Sequence, residues 1–401
     1  MSGPLEQVLS HDRVRAARAH VHRADETTLA RQVALSAIPA PTGAEGARGA
    51  RVAAMLDDAG LDDVQVDAVG NVRAWYGGGS GESGAVVLAA HLDTVFGPEL
   101  DVSVARRGPR LQGPGIADNA RGLAALITVG EAFTHARVQT RRPILFAATV
   151  GEEGAGDLRG VRHLFGPSAH PPVRPSAFIA LDGAGIERIV HRALGVRRYR
   201  VTYSGPGGHS WAAFGVANPA NAVGRAVSEI ARLPPQDAPR TTHSVVRLGG
   251  GTSLNSLPQT AWFDVDLRSE DPRTLGRLDE TVQTIFTRAL EDENRGRLEG
   301  TAPLILAVHR VGDRPSGLTP RTHPLVQAAV AATRAVGHEH QLACASTDAN
   351  VPIALGVPAV ALGAGGRAGD AHLPTEWYDN DKGALGIERA LLVTAAMAEA
   401  C

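Results

Sequence analysis

Three short, almost wholly apolar runs constrain this chain more than any other feature: Ala85–Ala90, Pro143–Val150 and Ala177–Leu181. Each is far shorter than the ~20 residues that span a bilayer, and none shows the polar alternation of a half-exposed strand. They read as buried strands. Between the first two lies helical patterning over 119–134, with Leu123, Leu126, Ile127 and Phe133 on one face. Helices over 11–36 and 44–59 and short strands near 64–69 and 72–76 precede them. Strands separated by helices predict an α/β fold with a mostly parallel sheet covered on both faces.

The texture changes near residue 187. Segment 189–203 alternates apolar and basic residues (Val196, Tyr199, Val201, Tyr203), the pattern of one half-exposed antiparallel strand. A helix at 218–233, strands at 243–249 and 259–268, a helix at 273–293 and a strand at 303–309 follow. That order makes a self-contained α/β sandwich. The turn at 312–317 then leads to a helix at 323–336, a strand at 358–362 and a final helix from about 383. The predicted organisation is one domain of residues 1–186 and 315–401, interrupted by an inserted domain at 187–314.

Composition removes several function classes. A formal net charge of −2 offers no basic footprint for nucleic acid, and no apolar stretch is long enough for a membrane span. The first twenty residues lack a signal peptide's apolar core, which predicts a cytoplasmic protein. Two cysteines, Cys344 and Cys401, cannot make a disulfide framework.

The chemistry sits where the buried strands end, which in open α/β sheets is where ligands bind. His91-Leu-Asp93 follows the first strand, with a spacing that lets His91 ligate a metal while Asp93 orients its ring. Asp118 stands at a helix start, Glu152-Glu153 follows the second strand, Asp182 ends the third, and His372 lies in a later loop. Each alone has an ordinary reading as a strand end, an N-cap, a solvated acidic turn or a loop histidine. Together they offer imidazole and carboxylate without thiolate, a set that suits Zn²⁺, with Co²⁺ or Mn²⁺ as alternatives. Two such ions against three ligating carboxylates leave a single positive charge for a hydroxide to neutralise. One member of the Glu152–Glu153 pair then remains free as a general base.

With these motifs in this order, the sequence resembles the dinuclear-zinc exopeptidases and aminoacylases, a family that includes glutamate carboxypeptidase, tripeptidase T and succinyl-diaminopimelate desuccinylase. The resemblance runs from about Leu35 to the end. It implies that His91 and Asp182 hold one zinc ion and Glu153 and His372 the other, with Asp118 shared. It also implies that Glu152 is the base and that Asn119 is joined to Asp118 by a cis peptide. The insertion resembles the family's lid, which commonly carries a dimer contact. There His209, in Gly205-Pro-Gly-Gly-His209, resembles the histidine that stabilises the oxyanion, often from the partner subunit. Asn255 and Arg268 resemble substrate-binding residues, the arginine gripping a carboxylate.

The function this implies is hydrolysis of an amide bond in small peptides by a homodimer. A hydrolase of N-acyl or N-carbamoyl amino acids would use the same machinery, and a non-catalytic binding relative would be expected to have lost ligands. All five ligand positions and the base are present.

Overall fold

The computed structural model describes residues 4–77, 84–168, 173 and 175–400. It divides into two compact units, one formed by Met1–Ala193 with Leu318–Cys401 and the other by Leu194–Gly317. The boundaries expected at 187 and 314 fall at 194 and 317 instead. Residues Arg188–Ala193 pair in the first unit's sheet, beside Gln341–Ala345 and Ala359–Leu362. The single strand expected over 189–203 is therefore two, Arg188–Ala193 and Gly195–Ser204, in different sheets.

In the first unit, strands Ile144–Thr149, Ala85–His91, Pro175–Leu181 and Ala359–Leu362 lie side by side and run parallel. Val72–Tyr76 and Asp62–Val66 extend one edge in antiparallel fashion. Successive side chains enter different cores, as a pleat requires. Val86, Leu88 and Ala90 join one apolar cluster with Phe146 and Ile179, whereas Ala85, Val87 and Ala89 join another with Leu145 and Phe178. Both faces are dry, which is why these strands carry no polar alternation.

Helices Asp12–Arg23, Ala120–Ala136, Pro324–Ala335 and Gly383–Met397 supply the first cluster; the short helices Arg159–Leu164 and Asn350–Ala354 supply the second. The helix expected over 11–36 is interrupted at Ala24, giving Asp12–Arg23 and Asp25–Ser36. A small sheet of Ala105–Arg107, Arg110–Gln112, Trp377–Asp379 and Arg367–Gly369 has strands too short for periodicity to reveal. Because the central strands are parallel, their carboxyl ends share one edge of the sheet. His91, the turn 151–153, Asp182 and Gly363 all lie just there.

The second unit is a five-stranded antiparallel sheet in the order Gln236–Asp237, Arg240–Gly250, Thr260–Ser269, Gly195–Ser204 and Ile305–Arg314. Helices Pro219–Ala231 and Pro272–Arg295 cover one face, packing Val223, Ile230, Val282 and Phe286 against Tyr199, Val201, Phe263 and Val265. Each begins with proline, and each is capped: Asn218 accepts from the Ala220 N–H at 2.9 Å and Asp271 from the Thr274 N–H at 2.7 Å. On the opposite face charges pair across strands, Asp264 facing Arg200 and Asp266 facing Arg198. None of the described helices is long and apolar enough to cross a membrane.

Candidate metal centre

His91 closes its strand opposite Thr149 and is 3% exposed. Its Nδ1 lies 3.1 Å from the backbone carbonyl of Asp93 and 3.5 Å from that residue's carboxylate. Both neighbours are acceptors, so Nδ1 carries a proton and the neutral ring presents its Nε2 lone pair. That nitrogen faces Asp118 Oδ1 at 3.0 Å and Asp182 Oδ1 at 3.9 Å.

The backbone of Asp93, more than its carboxylate, therefore sets the tautomer. The carboxylate has another task. Its Oδ1 accepts from the Glu152 N–H at 2.9 Å, and Oδ2 accepts from the Glu153 N–H at 2.9 Å and the Thr42 hydroxyl at 2.8 Å. Asp93 thus ties the turn after one strand to the turn after its neighbour. Burial opposes its charge, but His91 and these bonds hold its carboxyl below the usual range.

Asp118 was eligible to cap the helix that follows it. The cap is Asn119 instead, whose Oδ1 accepts from the Gly122 N–H at 3.2 Å while its Nδ2 donates to the Leu181 carbonyl at 2.9 Å. Position 122 has no room for a side chain, since a Cβ would lie 2.2 Å from Asn119 Oδ1. The Asp118–Asn119 peptide is cis. With the cap filled, the Asp118 carboxylate is left to lie between two imidazoles, with Oδ2 3.3 Å from His372 Nε2. The same nitrogen is 3.0 Å from Glu153 Oε1. Single donor atoms of His91, Asp118 and Glu153 all lie within 4.8 Å of one another.

Charge in this cluster is tightly balanced. Hydrogen bonds to Asp118 and Glu153 push His372 up to about 10. Burial works against a charge on His91, yet Asp118, Asp182 and Asp93 raise it well above its ordinary value. Burial likewise opposes the Asp118 charge, and the two imidazoles hold its carboxyl well below the usual range. Those imidazolium protons are what a cation would displace.

The donors fit such a cation on their own geometry. Asp118 Oδ1 is buried without a hydrogen-bond partner although His91 Nε2 is 3.0 Å away. A carboxylate oxygen this close to a ring nitrogen is the arrangement of two donors that could share one ion. Nitrogen and oxygen donors without sulfur match Zn²⁺ and its borderline neighbours.

Several buried groups that sequence patterning passed over brace this edge. Glu45, 4% exposed, accepts from the N–H groups of Gly43 at 2.9 Å and Gly151 at 3.1 Å and pairs with Arg159. Arg48 donates to the carbonyls of Leu92 at 2.9 Å and Ile38 at 2.6 Å. Asp348 accepts from the Thr149 hydroxyl at 2.5 Å, and burial pushes its carboxyl up to about 6. Burial pushes Glu376 up to about 7, against the pull of three backbone N–H groups. Each has a partner distant in sequence, so no local motif marks it.

In the second unit, His209 and Ser256 pair in a two-residue ladder, and the Ser210 N–H donates to the Asn255 carbonyl at 2.8 Å. His209 and Asn255 line one cavity of about 730 Å³, together with Gly208, Gly251 and Thr260. The Trp211 N–H donates to His209 Nδ1 at 3.2 Å, so in the neutral ring Nε2 carries the proton and is a donor.

Arg268 is not part of this cavity. It lies eight residues along strand Thr260–Ser269 from Thr260, a separation of about 26 Å at ~3.3 Å per residue. Its Nε and Nη2 donate to Asp266 at 2.7 and 3.2 Å.

Comparisons with known proteins agree with this picture. The sequence model of peptidase family M20/M25/M40 matches residues 87–397. No curated protein matches the sequence. Among solved structures, a tripeptidase from Staphylococcus aureus is 20% identical with a TM-score of 0.76, covering 93% of this chain and 98% of its own. The YxeP protein of Bacillus subtilis, described as a dinuclear metal-binding peptidase, is 15% identical with a TM-score of 0.66, covering 94% and 98%. A hydantoinase/carbamoylase-family amidase from Burkholderia vietnamiensis is 18% identical with a TM-score of 0.68, covering 94% and 97%.

Proposed function

The chain belongs to peptidase family M20/M25/M40, and from that membership we propose that this metal-dependent hydrolase cleaves the amide bond of small peptides at a centre of two divalent cations, zinc by donor type. The observation that carries the reading is the convergence of His91, Asp118 and Glu153 within 4.8 Å, with an Asp118 oxygen lacking any hydrogen-bond partner. His91 and Asp182 would hold one cation and Glu153 and His372 the other, with Asp118 between them. When bound, the cations would polarise the scissile carbonyl and lower the pKa of water.

The protein's own groups do the rest. Asp93 fixes the Glu152–Glu153 backbone, the arrangement from which Glu153 would serve the cations and Glu152 the attacking water. Glu152 takes a proton from the attacking water as its oxygen bonds to the carbonyl carbon. It returns that proton to the amine nitrogen as the C–N bond breaks. His209 Nε2–H donates to the carbonyl oxygen as that atom gains charge, and Asn255, from the same cavity, binds substrate beside it.

Arg268 grips a substrate carboxylate. Within one copy Arg268 lies about 26 Å of strand from Thr260, which lines the His209 cavity, so one small substrate would not reach both. If both act, they come from two copies, which supports a homodimer through this unit.

The test is hydrolysis by enzyme stripped with a chelator and reloaded with Zn²⁺, Co²⁺ or Mn²⁺, against di- and tripeptides beside N-acetyl and N-carbamoyl amino acids. Peptides should be cleaved fastest; preference for the carbamoyl compounds would change the substrate class and keep the centre. Glu152→Ala should retain its cations and lose about 10²–10⁴-fold in kcat. A variant with near-parental turnover would falsify the assignment of the base.

A further inference from the structure

Two of the proposed donors sit on loops that no secondary structure of their own holds in place. Asp118 ends the turn Gly113–Asp118, and His372 lies in the loop between strands Arg367–Gly369 and Trp377–Asp379, with a positive φ of 67°. Glu376, four residues beyond His372 and 1% exposed, touches the first of these loops along almost its whole length. Its Oε2 accepts from the Gly115 N–H at 3.0 Å, and its Oε1 accepts from the N–H groups of both Ala117 and Asp118 at 2.8 Å. Its backbone carbonyl accepts from the Gly113 N–H at 2.9 Å.

The turn is shaped for this grip. Gly115 has a φ of 72°, and a Cβ there would lie 2.7 Å from Thr94 Cγ2. An ionised carboxylate is the side chain that suits three converging donors, because it has acceptor sites only. The Asp118 N–H is one of the three, so the position of the Asp118 backbone depends on Glu376 directly.

We propose that Glu376 is a positioning residue that joins the Asp118 turn and the His372 loop into one rigid piece and so sets the geometry of the cation held by Asp118, Glu153 and His372. This rests on the metal-centre reading above. It also predicts an asymmetry that a general bracing role does not. Two of that cation's three protein donors are placed by Glu376, against one of three for the cation held by His91, Asp118 and Asp182. Losing the clamp should therefore weaken one cation more than the other.

Glu376→Gln keeps the shape but turns an NH₂ toward backbone donors. Glu376→Asp keeps the charge and shortens the reach, and serves if the glutamine variant does not fold. The measurement is stepwise calorimetric titration of chelator-stripped protein with Zn²⁺, paired with the Co²⁺ absorption spectrum and the melting temperature of the stripped chains. The expected result is two binding steps in the parent, with one step falling at least tenfold in the variant and the other changing less than threefold. The Co²⁺ spectrum of the ion bound in the weakened step should change as well.

Two equally weakened steps tracking a lowered melting temperature, or affinities within twofold of the parent, would overturn the proposal. A parent that binds no Zn²⁺ would instead remove the metal-centre reading, a result distinct from either.

Discussion

The carboxyl edge of the parallel sheet and the His209–Asn255 cavity of the second unit hold their functional groups in different ways. At the sheet edge His91, Asp93, Glu152 and Glu153 are all under one-tenth exposed, and side chains from distant segments lock the turns that carry them. In the cavity, His209 and Asn255 are exposed and are held chiefly by backbone pairing. Groups that must hold ions at fixed separations need preorganisation, since a small misplacement is costly. Groups that meet a variable substrate tolerate a looser hold. On the proposed reading, the contrast separates groups that hold cations from groups that meet the substrate.

Three experiments strain that contrast, the largest effect first. His209→Ala should leave cation content unchanged and lower kcat about 10²–10³-fold, the usual cost of one oxyanion donor. Mixing it with Arg268→Ala under conditions of subunit exchange should restore up to about a quarter of parental activity, because half of the dimers are then mixed and each has one intact site. If exchange restores nothing, the two-copy arrangement is wrong.

Asp93→Asn comes next. It removes the acceptor that fixes Glu152 and Glu153, and should cost about 10–100-fold in cation affinity or activity. Calorimetry showing parental affinity would mean that the sheet edge is less dependent on its braces than its burial implies.

The smallest effect tests the second unit's charged face. Hydrogen bonding from Arg200, with burial opposing and Arg247 assisting, holds Asp264 below its ordinary value. A depressed carboxylate stabilises the fold above its unfolded pKa of ~3.9, and that contribution disappears as pH falls through the folded value. Asp264→Asn should therefore cost about 0.2–1 kcal/mol at pH 7 by urea unfolding. The difference from the parent should begin to shrink as pH falls below about 4 and vanish only below the depressed folded value; a gap that stays constant through that range would point to packing in place of charge.

Legibility in the sequence followed the range of the interaction. The buried strands were readable because their two-sided burial leaves an unbroken apolar run, and Asp62–Val66 and Val72–Tyr76 fell near where they were expected. The break at Leu194 was not readable, since both segments have strand character and only pairing assigns them to separate sheets. At the site, the candidate ligands stood out because unusual polar residues followed apolar strands. Glu45, Asp348 and Glu376 did not, because a buried carboxylate whose partners lie far away in the chain looks in sequence like any surface acid.

The sequence by itself determined which residues have the chemistry to hold cations, and that His91, Glu153 and Asp182 follow strands of one sheet. Local periodicity and composition suffice for that, as both are written within a few neighbouring residues. Tertiary structure alone decided that Asn119 and not Asp118 caps the helix, that the Asp93 carboxylate serves the neighbouring turn, and that the His209 cavity takes in Thr260 and not Arg268. Each is a choice among several eligible partners, and it is settled by the distances that packing imposes on segments far apart in the chain.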